Sequence, residues 1–255
     1  MAEVESTGTD AAPHNTEGHP HRAGATTNRA SSNALIELRN VGKTFFRGKE
    51  PVEVLANLSL DVPQGSFEAL MGPSGSGKST LLNIIAGLDQ PTTGTARVAG
   101  EDLTRMSDSQ LASFRSRTMG FIFQAYNLLP VLTAQENVEL PLLLVSGLSS
   151  SDRKKRAQTA LRIVGLEDRM DHYPRQLSGG QEQRVTIARA IVNDPRIIVA
   201  DEPTGDLDRK SADDILTLLE KLNKEFEKTI LMVTHDPAAA ERATVIRRLN
   251  KGALE

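Results

Sequence analysis

The sequence predicts an α/β fold: a mostly parallel sheet buried on both faces, an antiparallel β layer N-terminal to it, and a helix-rich insert. Three observations lead there. Unbroken Ile, Val and Leu runs such as 196-RIIVA-200 and 229-TILMVT-234 suit strands covered on both faces, the pattern of parallel sheets. These runs alternate with segments of helical period, which gives βα units. The stretches 34-ALIELRNVGKTF-45 and 52-VEVLANLSLDV-62 are successive strands with no helix between them.

Residues 1–33 are rich in Ala, Thr, Ser, Gly, His and Pro and nearly lack large apolar side chains. Such a segment buries too little surface to offset its ordering entropy and is expected to be a disordered tail. His14, His19 and His21 within it read as incidental. Order is expected from Ala34, where Ile36, Leu38 and Val41 alternate with polar positions. Pro63-Gln64-Gly65-Ser66 is a turn, and 67-FEALM-71 a short buried strand. Helical spacing runs from Lys78 to Ala86, where Gly87 stops it. Turn residues at 91–94 precede a strand at 95–99, a helix at 108–117 and the buried strand 119-MGFIFQ-124. Helical patterns then fill most of 133–175, among them 153–164 with Ala157, Ala160, Leu161 and Val164 on one face. A helix at 181–192, a strand at 196–200, a helix at 211–226, a strand at 229–234 and a short helix near 237–242 follow. Strands at 244–249 and 253–255 close the pattern, joined by Asn250-Lys251-Gly252, which suits a tight hairpin.

Composition excludes several classes. The net charge of −3 and the pI near 6.0 lack the basic excess of a nucleic-acid-binding surface. The basic cluster at 153–156 reads as a solvated helix start. Without cysteine there are no disulfides or thiolate metal sites. The densest apolar run, Leu140–Val145, contains Pro141 and is far short of the ~20 residues a bilayer helix needs. The first twenty residues have no apolar segment of the signal-peptide kind. A soluble chain, or one held at a membrane by a partner, is expected.

The chemistry is concentrated in two glycine loops and three strand ends. The stretch 72-GPSGSGKS-79 fits G-x-x-x-x-G-K-[ST] between a strand and a helix. Gly72, Pro73, Ser74, Gly75, Ser76, Gly77, Lys78, Ser79 and Thr80 make up this phosphate loop. Its glycines let backbone N–H groups from Ser74 to Thr80 converge on phosphate oxygens, and the helix start adds attraction for an anion. Lys78 can reach the β- and γ-phosphates and Ser79 can ligand Mg²⁺. The strand 197-IIVADE-202 ends in two carboxylates at the sheet edge where α/β folds bind ligands. Asp201 is expected to hold Mg²⁺ through water, and Glu202 to align or deprotonate an attacking water. His235 ends 230-ILMVT-234 in the same way and is expected beside the γ-phosphate. Gln124 follows 121-FIF-123 and, taken alone, carries little.

The second glycine loop is 177-LSGGQEQRV-185. One nucleotide needs one cradle, so a second anion site asks for a second chain. Ser178, Gly179, Gly180 and Gln181 of one copy are expected to close over the γ-phosphate held by Lys78 of another, head to tail. ATP then glues two subunits and hydrolysis releases them.

Taken in order, GPSGSGKST, Gln124, LSGGQ, IIVADE, 204-TGDLD-208 and His235 resemble the nucleotide-binding subunit of ABC transporters over residues 34–255. LSGGQ distinguishes that family from other phosphate-loop NTPases. The segments 71–94, 121–142 and TGDLD are similar to its branch of lipoprotein-releasing, macrolide-exporting and cell-division ATPases. The resemblance implies an ATPase with a P-loop NTPase core, an N-terminal antiparallel β subdomain and a helical subdomain at about 104–178. It implies ATP and Mg²⁺, a homodimer and separate integral membrane permease subunits. It places the chain at the cytoplasmic face of the membrane, with no nucleic acid involved. It gives Gln124 a place in the Mg²⁺ shell and in coupling to the permease, and gives Asp208 a contact with the partner copy's phosphate loop. Leu128, Leu129 and Pro130 are then either permease contacts or part of this chain's own core. Where the family has an aromatic, most often Tyr, against adenine, 43-KTFFRG-48 offers Phe45 first and Phe46 second, both able to stack but lacking the hydroxyl. The competing reading is an ABC-type ATPase acting on nucleic acid or ribosomes. A single cassette, no cysteine for zinc and no coiled coil weigh against it. The cargo, if there is one, would be read by the permease.

Overall fold

In the computed structural model residues 34–255 are described, so the expected disordered tail and its three histidines lie outside the described residues. The chain builds two sheets. β1 (Ala34–Arg47) and β2 (Glu50–Pro63) form a long antiparallel ribbon. β3 (Phe67–Met71) leads through the phosphate loop into α1 (Lys78–Ile85). β4 (Thr93–Val98) and β5 (Glu101–Asp102) return to the ribbon, giving a four-stranded sheet of order β2-β1-β4-β5. The early strands thus form the expected antiparallel layer. β4 joins it from beyond α1, a pairing that spacing along the chain does not reveal.

The remaining elements are α2 (Asp108–Thr118), β6 (Met119–Phe123), α3 (Ala134–Glu139), α4 (Ser150–Ile163), α5 (Gly179–Ile191), β7 (Ile197–Asp201), α6 (Arg209–Phe226), β8 (Thr229–Val233), α7 (Pro237–Ala240), β9 (Val245–Asn250) and β10 (Ala253–Leu254). The second sheet has the order β10-β9-β3-β8-β7-β6 and is parallel except for the β9–β10 hairpin. β9 does more than close a hairpin: it pairs with β3, and Arg247 on it donates to the fully buried Glu68 of β3 at 2.5 Å.

Both faces of this sheet are covered, which is why its strands are apolar throughout. On β7, Ile198 and Ala200 join one core with α5 and α6 residues. Ile197 and Val199 join the other, with α1, α2 and the antiparallel sheet. Successive side chains point to opposite faces, so both must be apolar. Within the span 104–178, β6 is a sheet strand, and α2 turns Leu111 and Phe114 into the core shared with α1. The helices packed on one another are α3, α4 and α5. Leu128 packs against the core, whereas Leu129 and Pro130 are exposed. Among the described residues no helix is long and apolar enough to cross a membrane.

Helix starts differ from the sequence expectation by a few residues because of capping. Ser178 begins α5 at Gly179, Ser149 begins α4 at Ser150 and Asp208 begins α6 at Arg209. Each side chain accepts a bond from a backbone N–H that the first turn leaves unpaired.

Candidate functional site

Parallel pairing brings the motifs to one edge. Phe123 is level with Asp201, and Asp201 and Leu70 are both level with Val233. The residues that follow these strand ends therefore emerge together: Gln124 after β6, Glu202 after β7, His235 after β8 and the phosphate loop after β3. A cavity of about 620 Å³ opens there, lined by Ser74, Gly75, Gly77, Lys78, Ser79, Thr80, Gln124, Asp201 and Glu202 among others. Gly72, Pro73 and His235 line an adjoining hollow.

The loop's geometry suits an anion. Gly77 has a φ of 101°, and a Cβ there would sit 2.9 Å from the Val54 carbonyl oxygen. Only glycine meets both demands without strain. Lys78 Nζ donates to the carbonyls of Gly72 at 2.9 Å and Pro73 at 3.0 Å, which holds its charge above the loop. α1 has neither a capping side chain nor an acidic residue in its first turn. Its first N–H groups are left for a ligand, which the aligned dipole makes anionic. The Ser76 hydroxyl is buried without a partner, while its carbonyl accepts from Gly252 N at 3.1 Å. Gly252 O in turn accepts from Ala56 N at 3.1 Å, so the β9–β10 turn joins the loop to β2.

Burial pushes the Asp201 carboxyl above its ordinary range and the neighbouring Glu202 charge adds to this. The Ser79 hydroxyl and Lys78 pull it back. A site that resists a second negative charge is one where a cation is favourable. The Ser79 hydroxyl and the Asp201 carboxylate meet there, with Gln124 also on the cavity wall, side chains whose oxygens suit Mg²⁺. Among the described residues no group of three or more His, Cys, Asp or Glu could hold a metal.

Glu202 has a φ of 49°, the left-handed region that side chains disfavour. Its N–H donates to Val233 O at 2.9 Å and its carbonyl accepts from Gly205 N at 3.1 Å. His235 Nδ1 lies 2.9 Å from Glu202 Oε1. This hydrogen bond, followed by the Glu202 charge, raises the His235 pKa from its ordinary 6.5. The imidazolium–carboxylate pair is therefore complete below pH 6.5 and is lost as pH rises through the raised value. In a proton NMR titration the His235 ring will titrate above 6.5, and Glu202→Gln will return it toward 6.5. An unmoved midpoint in the variant would assign the shift to another cause.

Of the other expected site residues, Gln124 lines the cavity, and its Nε2 donates to Asp206 at 2.9 Å. Phe45 and the more exposed Phe46 do not line the cavity. The Phe45 ring has the Lys43 ammonium 4.9 Å from its centroid and pairs with Val52, two residues from cavity-lining Val54. Ser178, Gly179, Gly180 and Gln181 are absent from the cavity wall. The Ser178 hydroxyl accepts from Gln181 N at 3.3 Å, and the Gln181 side chain accepts from Ser178 N at 3.0 Å. Gln181 is thus a capping-box partner turned back on its own helix. The Asp208 carboxylate caps α6 through Lys210 N and Ser211 N and accepts the Ser211 hydroxyl at 2.6 Å, which holds its pKa below the usual range.

The sequence model of the family described as ABC transporter matches residues 55–205, more than half the chain. The chain belongs to the ABC transporter family. It is the ATP-binding cassette of that family, an ATPase with the α/β phosphate-loop fold. The cassette is 52% identical over 207 residues to the uncharacterized ABC transporter ATP-binding protein YknY of Bacillus subtilis, spanning 81% of this chain and 89% of that one. It is 48% identical over 220 residues to the macrolide export ATP-binding/permease protein MacB of Brucella melitensis, spanning 86% of this chain and 34% of that one. In structure it resembles the cassette MJ0796 of Methanocaldococcus jannaschii, solved as a dimer in a post-hydrolysis state bound to ADP and Pi. The TM-score is 0.80 and the identity 46%, over 87% of this chain and 97% of that one.

Sequence reasoning passed over two residues that shape the cassette's loop after Gln124. Arg189 of α5 donates to the carbonyls of Tyr126 and Asn127, both at 2.7 Å. Asn137, fully buried in α3, donates to Leu129, Leu132 and Thr133 carbonyls and accepts from Leu129 N at 2.8 Å. The available signal was a polar residue on an apolar helix face, between Ala134 and Val138 in the case of Asn137.

Proposed function

We propose that two copies of this cassette close head to tail around two ATP molecules and so drive a separate membrane permease, of the lipoprotein-release or export type. One observation supports this most directly. The chain carries both the phosphate cradle and the Ser178–Gly180 helix start, yet the second does not line the cavity formed by the first. In this reading the phosphate loop of one copy holds ATP, with Lys78 on the β- and γ-phosphates and Phe45 against adenine. Ser178 and Gly180 of the other copy cover the γ-phosphate, and Asp208 reaches the partner's phosphate loop. Mg²⁺, when bound, neutralises charge on the β- and γ-oxygens. Ser79 and Asp201 would hold it, with Gln124 at its shell. Glu202 orients the attacking water and takes its proton, while His235 fixes the Glu202 carboxylate through the bond already present. Attachment at the cytoplasmic face comes through the permease, and the macrolide export name of the MacB relative fits that branch.

Ser178→Arg tests the two-chain site. ATP binding to the monomer stays within about twofold, while hydrolysis falls by ~10²-fold because a displaced donor misplaces the transition state. Light scattering shows no ATP-dependent dimer. The lost cap lowers stability by about 1 kcal/mol, which a melting curve reads separately. Equal loss of binding and hydrolysis would argue for a site within one chain.

A further inference from the structure

Between Gln124 and Glu202 lies a side chain that the reading above leaves without a role. Gln183 is fully buried in α5. Its Nε2 donates to Pro203 O at 2.6 Å and reaches Phe123 O at 3.4 Å. Its Oε1 accepts the Thr186 hydroxyl at 2.8 Å. Phe123 is the residue before Gln124, and Pro203 the residue after Glu202. One amide thus spans the ends of two neighbouring strands where their ladder stops at the Phe123–Asp201 pair. The Thr186 hydroxyl, shared between the Gln183 carbonyl and Oε1 at 2.8 Å each, favours the amide end that faces the carbonyls with its nitrogen.

We infer that Gln183 is a positioning residue for hydrolysis: it pins the backbone on which Glu202 sits and ties it to the helix that begins at Ser178. The left-handed φ of Glu202 persists only where its surroundings over-determine it. Two of its constraints come from the sheet and the turn, through Val233 O and Gly205 N. Gln183 adds one from a helix, at the next residue along. The helix α5 carries both ends of the connection, the Ser178–Gly180 start and this amide. Movement of α5 when a second copy seats on Ser178 is passed directly to Glu202 and to Gln124. The signature loop of a chain then acts on its own carboxylate as well as on the partner's nucleotide. A carboxylate would face two carbonyl oxygens, and an apolar side chain would donate to neither.

This rests on the reading of Glu202 as the water-orienting carboxylate, so Glu202→Gln is assayed alongside. Gln183→Met keeps length and loses both donors. Per nucleotide-binding site, its kcat falls roughly 10–100-fold, as expected for a group held about 1 Å off, while KM and the ATP dissociation constant stay within about twofold. Thr186→Val keeps shape and loses only the hydroxyl that orients the amide. Its kcat falls about 3–10-fold, and the double variant is no slower than Gln183→Met, because the two act as one unit. A purely structural role would instead lower the fraction of binding-competent protein and leave kcat per site unchanged. That result, a KM rise matching the kcat loss, or wild-type turnover in Thr186→Val overturns the proposal. Should Gln183→Met not fold, Thr186→Val decides alone. If Glu202→Gln turns over normally, the reading of Glu202 fails. If Glu202→Gln stops turnover and both Gln183→Met and Thr186→Val do not slow it, only the role of Gln183 fails.

Discussion

Glu202→Gln will lower ATP turnover by roughly 10²–10³-fold, the range of a lost general base, while ATP binding persists and a dimer accumulates. The substitution keeps shape and removes charge. Two effects follow. The water loses its proton acceptor, so the step that would separate the chains does not occur. Asp201 also loses the neighbouring charge that helps raise its pKa, so its carboxylate forms more readily, while the site as a whole presents one negative charge fewer to a cation. Phosphate release measures the first effect, and light scattering with and without ATP measures the dimer. Rapid turnover by a monomeric variant would contradict the assignment. The trapped dimer also serves as bait for detergent-solubilised membranes. A permease with a large extracytoplasmic domain is expected among the captured proteins. Recovery of soluble or ribosomal partners alone would favour the nucleic-acid reading.

Lys78→Ala will weaken ATP binding by about 10²-fold or more. The Lys78 ammonium is held by Gly72 and Pro73 carbonyls at 2.9 and 3.0 Å, so its charge is already in place before a nucleotide arrives. A charge-assisted bond is worth about 1.5–3 kcal/mol, and two to phosphate oxygens account for the expected factor. The pull of Lys78 on Asp201 disappears as well, which leaves that carboxyl further raised. Calorimetric titration with ATP reads the loss. A melting temperature close to wild type is expected, because the α1 start is held by its backbone, with Leu81 N donating to Gly77 O at 2.9 Å. Unchanged affinity would remove the phosphate role from Lys78.

The legible parts of this molecule are local ones. The phosphate loop, the 201–202 carboxylates and His235 each sit where an apolar strand ends, and the chain itself displays that junction. Parallel pairing then does the rest, since strands running one way bring their ends to one edge. Spacing shows which face a residue occupies but not what lies opposite. Gln183 appeared in sequence as one more polar residue after LSGGQ, because its partners, Pro203 and Phe123, are brought to it only by folding. The same limit hid the pairing of β4 with β1 and of β9 with β3. Gln181 and Asp208 show a different gap. Both carry the right chemistry for a ligand, yet each is within reach of a free helix N–H, and that nearer partner takes it in this state.

The turn between β9 and β10 sets the order in which this machine can be assembled. Ser76 and Ala56 meet only through Gly252, whose φ of 81° and lack of a Cβ let it lie against the Val54 carbonyl. That turn leaves the ribosome long after the loop it supports, and contacts so remote in sequence form slowly. A nascent chain therefore displays the whole phosphate-loop sequence well before the loop has its final support.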